Sequence, residues 1–346
     1  MADGAGPHRV EVRRDDELDC DVVVLEHDDG NPAHHVVAEV APALGSNLYR
    51  FDVGGTQLLR GDRTLLRQGR WSGTLVLWPL PNRVRDKRYR FGGRTVDLSD
   101  VVRPEGNEPL IHGLVDDRAW EHDEPHAGGD GSTVRTWVET HPGSPHFAHH
   151  PFPSRLSLEL TVHAGGVRVA YTVDNLGGEP MPCAFALHPH FEVLDGAESV
   201  VVVPADGTME ADDELLPTGA VLPMGSQGFD LRRPTALFDV ELDDVFTQLH
   251  RGEPPRLRFP LSGLELAARA SADFTHVVLY TLKARDQGFV CLENQTGSTD
   301  AINLYARALE ARDEALREAA HLLVIPPGGR HEGWISYEVS RLVQPV

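Results

Sequence analysis

The chain has 346 residues and a mass of 38.0 kDa, enough for one large or two modest domains with a substantial core. Its 40% hydrophobic and 25% charged residues exclude a collagen-like, coiled-coil or disordered chain, and 33 glycines with 25 prolines point to many turns. A formal charge of −21 repels phosphate backbones, so no nucleic-acid partner is expected.

The amino-terminal stretch MADGAGPHRVEVRRDDELD lacks the apolar region of a signal peptide. The longest apolar runs are strand-length, so no membrane association is expected. Cys20, Cys183 and Cys291 are too few and too far apart for a disulfide framework or a paired metal motif, which fits a reducing cytoplasm.

TLVLW at 74–78 is a strand-like run, and RYRFGGRTVDL reads as a hairpin around Gly92 and Gly93. The stretch 123–132, DEPHAGGDGS, reads as a surface loop between strands. His141, His146, His149 and His150 in HPGSPHFAHHP lie among prolines without helical spacing, so a solvated loop is expected there rather than a metal site. Residues 155–173 alternate strictly, and Gly165 with Gly166 would supply the positive φ angles of a tight hairpin. ESVVVV, RLRFPLSGLELAA, HVVLYTL, FVCLEN and GWISYEV continue the strand pattern to the carboxyl terminus. The exception is residues 305–323, where Ala306, Leu309, Leu316 and Leu323 recur near helical spacing, predicting one long surface helix. These elements predict an all-β chain, a large antiparallel β-sandwich forming a single domain over residues 1–346.

Phosphate-cradling glycine motifs, a GxSxG elbow and HExxH are all absent, so no cofactor and no metal are expected. Polar residues set within apolar strands are the informative ones, because burying them has a cost that calls for a partner or a purpose. They are Asn82 and Arg83 in LWPLPNRV, His112 in PLIHGLV, His188 and His190 in CAFALHPHF, and Glu293 in FVCLENQTGSTDAIN. Each alone also fits a hydrogen-bonded core group, with Arg83 and Glu293 as an ion pair.

Together and in this order, with LDDVF around Asp243 and the closing IPPGGRHEGWISYEV, these segments resemble the aldose 1-epimerase (galactose mutarotase) family, from about Gly54 to Val339. The resemblance implies a β-supersandwich with a cleft for a small free sugar. It implies that His188 is the general acid and Glu293 the general base, and that Asn82, Arg83, His112 and Asp243 hold sugar hydroxyls or the ring oxygen. His190 stands where the family usually has tyrosine, and Val278 where many members place a sugar-contacting glutamine, which opens the question of the preferred sugar. The helical stretch looks like an insertion beside the cleft.

The implied reaction interconverts α and β anomers. A carboxylate takes the C1 hydroxyl proton while an acid protonates the ring oxygen, and closure reverses both transfers. Histidine suits the acid role because its ordinary pKa of about 6.5 lies near neutrality. Glu293 is expected to stay ionised there, with Arg83 offsetting its burial. Three rival readings are a hexose-6-phosphate epimerase using cations of residues 83–90, a noncatalytic sugar-binding protein, and a glycoside hydrolase pairing Asp243 with Glu293. The oligomeric state is not readable from the sequence.

Overall fold

The computed structural model describes residues 6–102 and 110–342. The first residues of the amino-terminal stretch and Pro109, which opens the His112 motif, lie outside that description.

Every strand pairing among the described residues is antiparallel, which follows from the short hairpin connections that the Gly-rich turns permit. A ten-stranded sheet is centred on Ser154–His163, Gly166–Asn175 and Arg330–Arg341. A seven-stranded sheet runs in the order Pro217–Pro223, Ala205–Ala211, Asp243–Leu249, His276–Tyr280, Phe289–Gln295, Ala186–Glu192 and Thr74–Leu77. A five-stranded amino-terminal sheet, from His8–Asp15 to Thr56–Gln57, completes the packing. One apolar cluster joins all three. It contains Val23 and Phe51 from the small sheet, Leu158, Ile335 and Tyr337 from the large one, and Leu187, Phe246, Val277 and Leu292 from the seven-stranded one.

The period-2 alternation decides what the seven-stranded sheet shows on its other face. In Phe289–Gln295, Val290 and Leu292 enter the core, so Cys291, Glu293 and Gln295 point away from it. In Ala186–Glu192, Leu187 and Phe191 enter the core and leave His188 and His190 on the outer face. That face is still buried at its centre, because loops and helices cover it.

The structure revises four local expectations. The helical stretch forms two helices, Ala301–Ala311 and Glu314–Ala320, because Arg312 adopts φ 54° and Asp313 caps the second by accepting from the Leu316 N–H at 3.0 Å. They are not a purely surface feature: Leu304, Ala308 and Leu316 pack on Met209 and Val245. In the 155–173 hairpin only Gly165 has positive φ. Gly166 already belongs to the strand, and a Cβ there would lie 2.6 Å from the Tyr337 carbonyl oxygen. Residues 123–132 are not all loop, since His126–Gly128 pairs with Gly131–Thr140. Within the histidine-rich loop, His150 is buried edge-on against Trp78 at 5.2 Å, and burial pushes its pKa down to about 3.

Candidate active site

The outer face of the seven-stranded sheet gathers all six residues singled out above. Val278 lies opposite Glu293 in register, Val245 opposite Val278, and Asp243 opposite Tyr280. Residues paired directly across an antiparallel ladder share a face. The strands therefore place Glu293, Val278 and Val245 in one row, with Asp243 and Tyr280 in the next.

Asn82 and His112 arrive on loops and Arg83 on a two-residue strand, all outside the seven-stranded sheet. Arg83–Val84 pairs with Leu110–Ile111, and the His112 N–H donates to the Asn82 carbonyl oxygen at 3.0 Å. Asn82 at φ 61° and His112 at φ 73° turn their chains sharply over the sheet, an orientation that asparagine and histidine adopt more readily than bulkier residues. Gly113 follows at φ 76°, and an added Cβ would sit 2.6 Å from the Trp78 carbonyl oxygen. The loop can thus lie down only with glycine at that position.

His188 Nε2 is 3.4 Å from Glu293 Oε1. The His112 ring meets the His188 ring edge-on at 4.7 Å, and the His190 ring stacks on that of His188 at 4.7 Å. The Gln295 side-chain amide donates to Glu293 Oε2 at 3.4 Å. Arg83 pairs with Asp243 at 2.9 Å, not with Glu293, and also donates to Asn82 Oδ1 at 3.2 Å. Asn82, Arg83 and Asp243 border a cavity of about 240 Å³, whereas His188 and Glu293 are buried and do not line it; Val278 lies between Glu293 and Val245, which does.

The electrostatics follow from that burial. Desolvation, then the Asp243 carboxylate, push the Glu293 pKa well above the usual carboxylate range; Arg83 opposes them only weakly because it is committed to Asp243. The expectation that Arg83 would keep Glu293 ionised is therefore not met in the free protein. Desolvation, then His112 and His190, hold the His188 pKa well below its usual value. Burial likewise lowers His190 to about 4, although its Nδ1–H donates to the Gly73 carbonyl oxygen at 3.0 Å. The ligand atoms of His188, His190 and Cys291 lie within 4.8 Å of one another. The two imidazole planes are only 20° apart, however, so their in-plane lone pairs run alongside each other instead of converging on an ion. Burial and Glu293 also push the Cys291 thiol well above its ordinary pKa.

Sequence reasoning missed Gln295 and Trp71. The first was legible, since two residues after Glu293 on a strand means the same face. Trp71, whose ring lies 4.5 Å from His112, comes from a loop without any periodic signal.

Packed antiparallel sheets with a buried imidazole–carboxyl pair on the outer face of one of them define the class of fold and site. The family model for aldose 1-epimerase matches residues 31–318, and the chain belongs to that family. Among solved structures, a galactose mutarotase-like protein from Clostridium acetobutylicum superposes with a TM-score of 0.83 at 17% identity, covering 97% of this chain and 99% of that one. Galactose 1-epimerase from Lactobacillus acidophilus gives a TM-score of 0.71 at 15% identity over 97% and 100% of the two chains. An aldose epimerase homologue from C. elegans gives 0.71 at 20% identity over 89% and 96%. A search of curated proteins returns no match. Among the described residues, no helix is long and apolar enough to cross a membrane.

Proposed function

We propose that the protein is an aldose 1-epimerase that interconverts the α and β anomers of a free sugar, with His188 and Glu293 as its acid–base pair. The observation that carries this reading is the 3.4 Å contact between the two buried groups, on the same sheet face as the cavity bordered by Asn82, Arg83 and Asp243.

Two protons must move in the reaction. When a cyclic sugar is bound, protonated His188 gives its proton to the ring oxygen while ionised Glu293 accepts the C1 hydroxyl proton; the C1–O5 bond breaks and an open-chain aldehyde results. The pair is then neutral His188 with protonated Glu293. After rotation about C1–C2, His188 takes the proton back from the O5 hydroxyl and Glu293 returns its own to the carbonyl oxygen. Both states of the pair carry one proton and no net charge, so a buried site accommodates either. The shifted pKa values favour the neutral arrangement in the free protein. Arg83, Asn82, His112 and Asp243 orient the ring, Arg83 by charge-assisted hydrogen bonds.

A phosphorylated sugar is disfavoured. Asp243, Asp244 and Glu241 border the cavity against the single cation Arg83, and in the stretch 83–90 Arg85 is already paired with Asp212 at 2.6 Å. The free cysteines are all buried, in keeping with a reducing, cytoplasmic setting. Polarimetry of freshly dissolved glucose, galactose and glucose 6-phosphate tests the proposal. Acceleration of the free sugars over the uncatalysed rate is expected; none with any sugar would reject it.

A further inference from the structure

Asp243 and Glu293 lie two strands apart on the cleft face, with His276–Tyr280 between them. A sugar that reaches both the acid–base pair and Arg83–Asp243 must therefore lie across Val278, whose isopropyl group offers no hydrogen bond. Val245 continues the row one strand further, about 4.8 Å away. Met209, Leu215, Pro217 and Leu282 carry the apolar surface on around the cavity wall. The helices Ala301–Ala311 and Glu314–Ala320 back this wall, since Leu304, Ala308 and Leu316 pack against Met209 and Val245 and leave the strip little freedom to rearrange. Leu215, at φ 58°, is 39% exposed and Leu282 45% exposed. Two large apolar side chains thus meet water at a cavity that Asn82, Arg83 and Thr299 also line, together with Glu241, Asp243 and Asp244. The Thr299 hydroxyl is buried and has no hydrogen-bond partner among the described residues.

A cavity lined by both polar and apolar groups fits a ligand that carries both. With its ring hydroxyls at Asn82, Arg83, Asp243 and Thr299, a bound sugar would turn its remote end to Val245, Met209, Leu215 and Leu282. A hydroxyl at that end would give up water without gaining a partner from the apolar wall, whereas a methyl group would bury favourably. We infer that this wall is a subsite for a methyl group and that the preferred substrates are 6-deoxyhexoses rather than their 6-hydroxy parents. The inference rests on the mutarotase reading for the placement of the ring.

Matched pairs that differ only at C6 test it: D-fucose against D-galactose, and 6-deoxy-D-glucose against D-glucose. Each is measured for catalysed mutarotation by polarimetry and for binding by calorimetry. The deoxy member is expected to show kcat/KM higher by about 10-fold or more, the scale on which apolar pockets discriminate a single small group. Leu282→Asn, at the exposed rim where folding is not at stake, should shrink that ratio towards one by lowering kcat/KM for the deoxy member. Equal or better handling of the 6-hydroxy sugars by the unmodified protein would overturn the subsite and would assign the sixth hydroxyl to Asp244 or Glu241, which also border the cavity. If no sugar is turned over, the acid–base reading falls, and the calorimetric ratio alone decides the subsite.

Discussion

Burial moves the two central ionisable groups in opposite directions, Glu293 up and His188 down, and this opposition sets the expected pH behaviour. The productive pair holds one proton. As pH falls through the depressed His188 value a second proton binds and no base remains; as pH rises through the elevated Glu293 value the last proton leaves and no acid remains. A kcat/KM profile with a broad plateau across neutrality is expected, its two limbs belonging to the pair rather than to either residue. A single step centred near the ordinary histidine value of about 6.5 would contradict it. His188→Asn and Glu293→Gln keep hydrogen bonding without proton transfer, so each should lower turnover by about 10²–10⁴-fold while calorimetry still detects the sugar. Wild-type turnover in either variant would return that residue to a structural role. Glu293→Gln carries a second signature. A carboxyl whose folded pKa is raised loses stability as pH climbs above its unfolded value of about 4.3, so the amide should raise Tm more at alkaline pH than near pH 5.

Strands carry His188, Glu293 and Asp243 and loops carry Asn82 and His112, a division with different tolerances. A strand residue is aimed by its ladder, but the Asn82 and His112 loops depend on left-handed backbone and on the absence of a Cβ at Gly113. Gly113→Ala should therefore destabilise the protein by more than about 1 kcal/mol and raise KM through displacement of His112. Denaturant unfolding and steady-state kinetics would report the two effects, and an unchanged KM would detach His112 from binding. The helical pair behaves differently. Asp313 caps its second member, so Asp313→Ala should cost about 1 kcal/mol while leaving the 3.4 Å pair undisturbed.

Across the whole molecule, one apolar cluster runs through the three main sheets, and on that ground we propose that residues 1–346 unfold as one unit. Calorimetry should show a single transition, and Phe246→Ala, which empties a fully buried position, should lower stability by about 3–5 kcal/mol without splitting it. Two separate transitions would divide the chain into domains. The all-β architecture was legible without coordinates, because alternation such as that of residues 155–173 permits only a strand with one face in a core. The faces of His188 and Glu293 were also legible, since Leu187 and Leu292 beside them are plainly core residues. Left-handed Arg312 escaped notice because neither arginine nor its neighbours mark a helix break as glycine or proline would. Which carboxylate Arg83 pairs with, how deeply Glu293 is buried, and that Trp71 closes on His112 were decided only by the tertiary structure. Periodicity assigns a side chain to a face, but distances and desolvation arise between segments distant in the chain, such as Arg83 and Asp243, 160 residues apart.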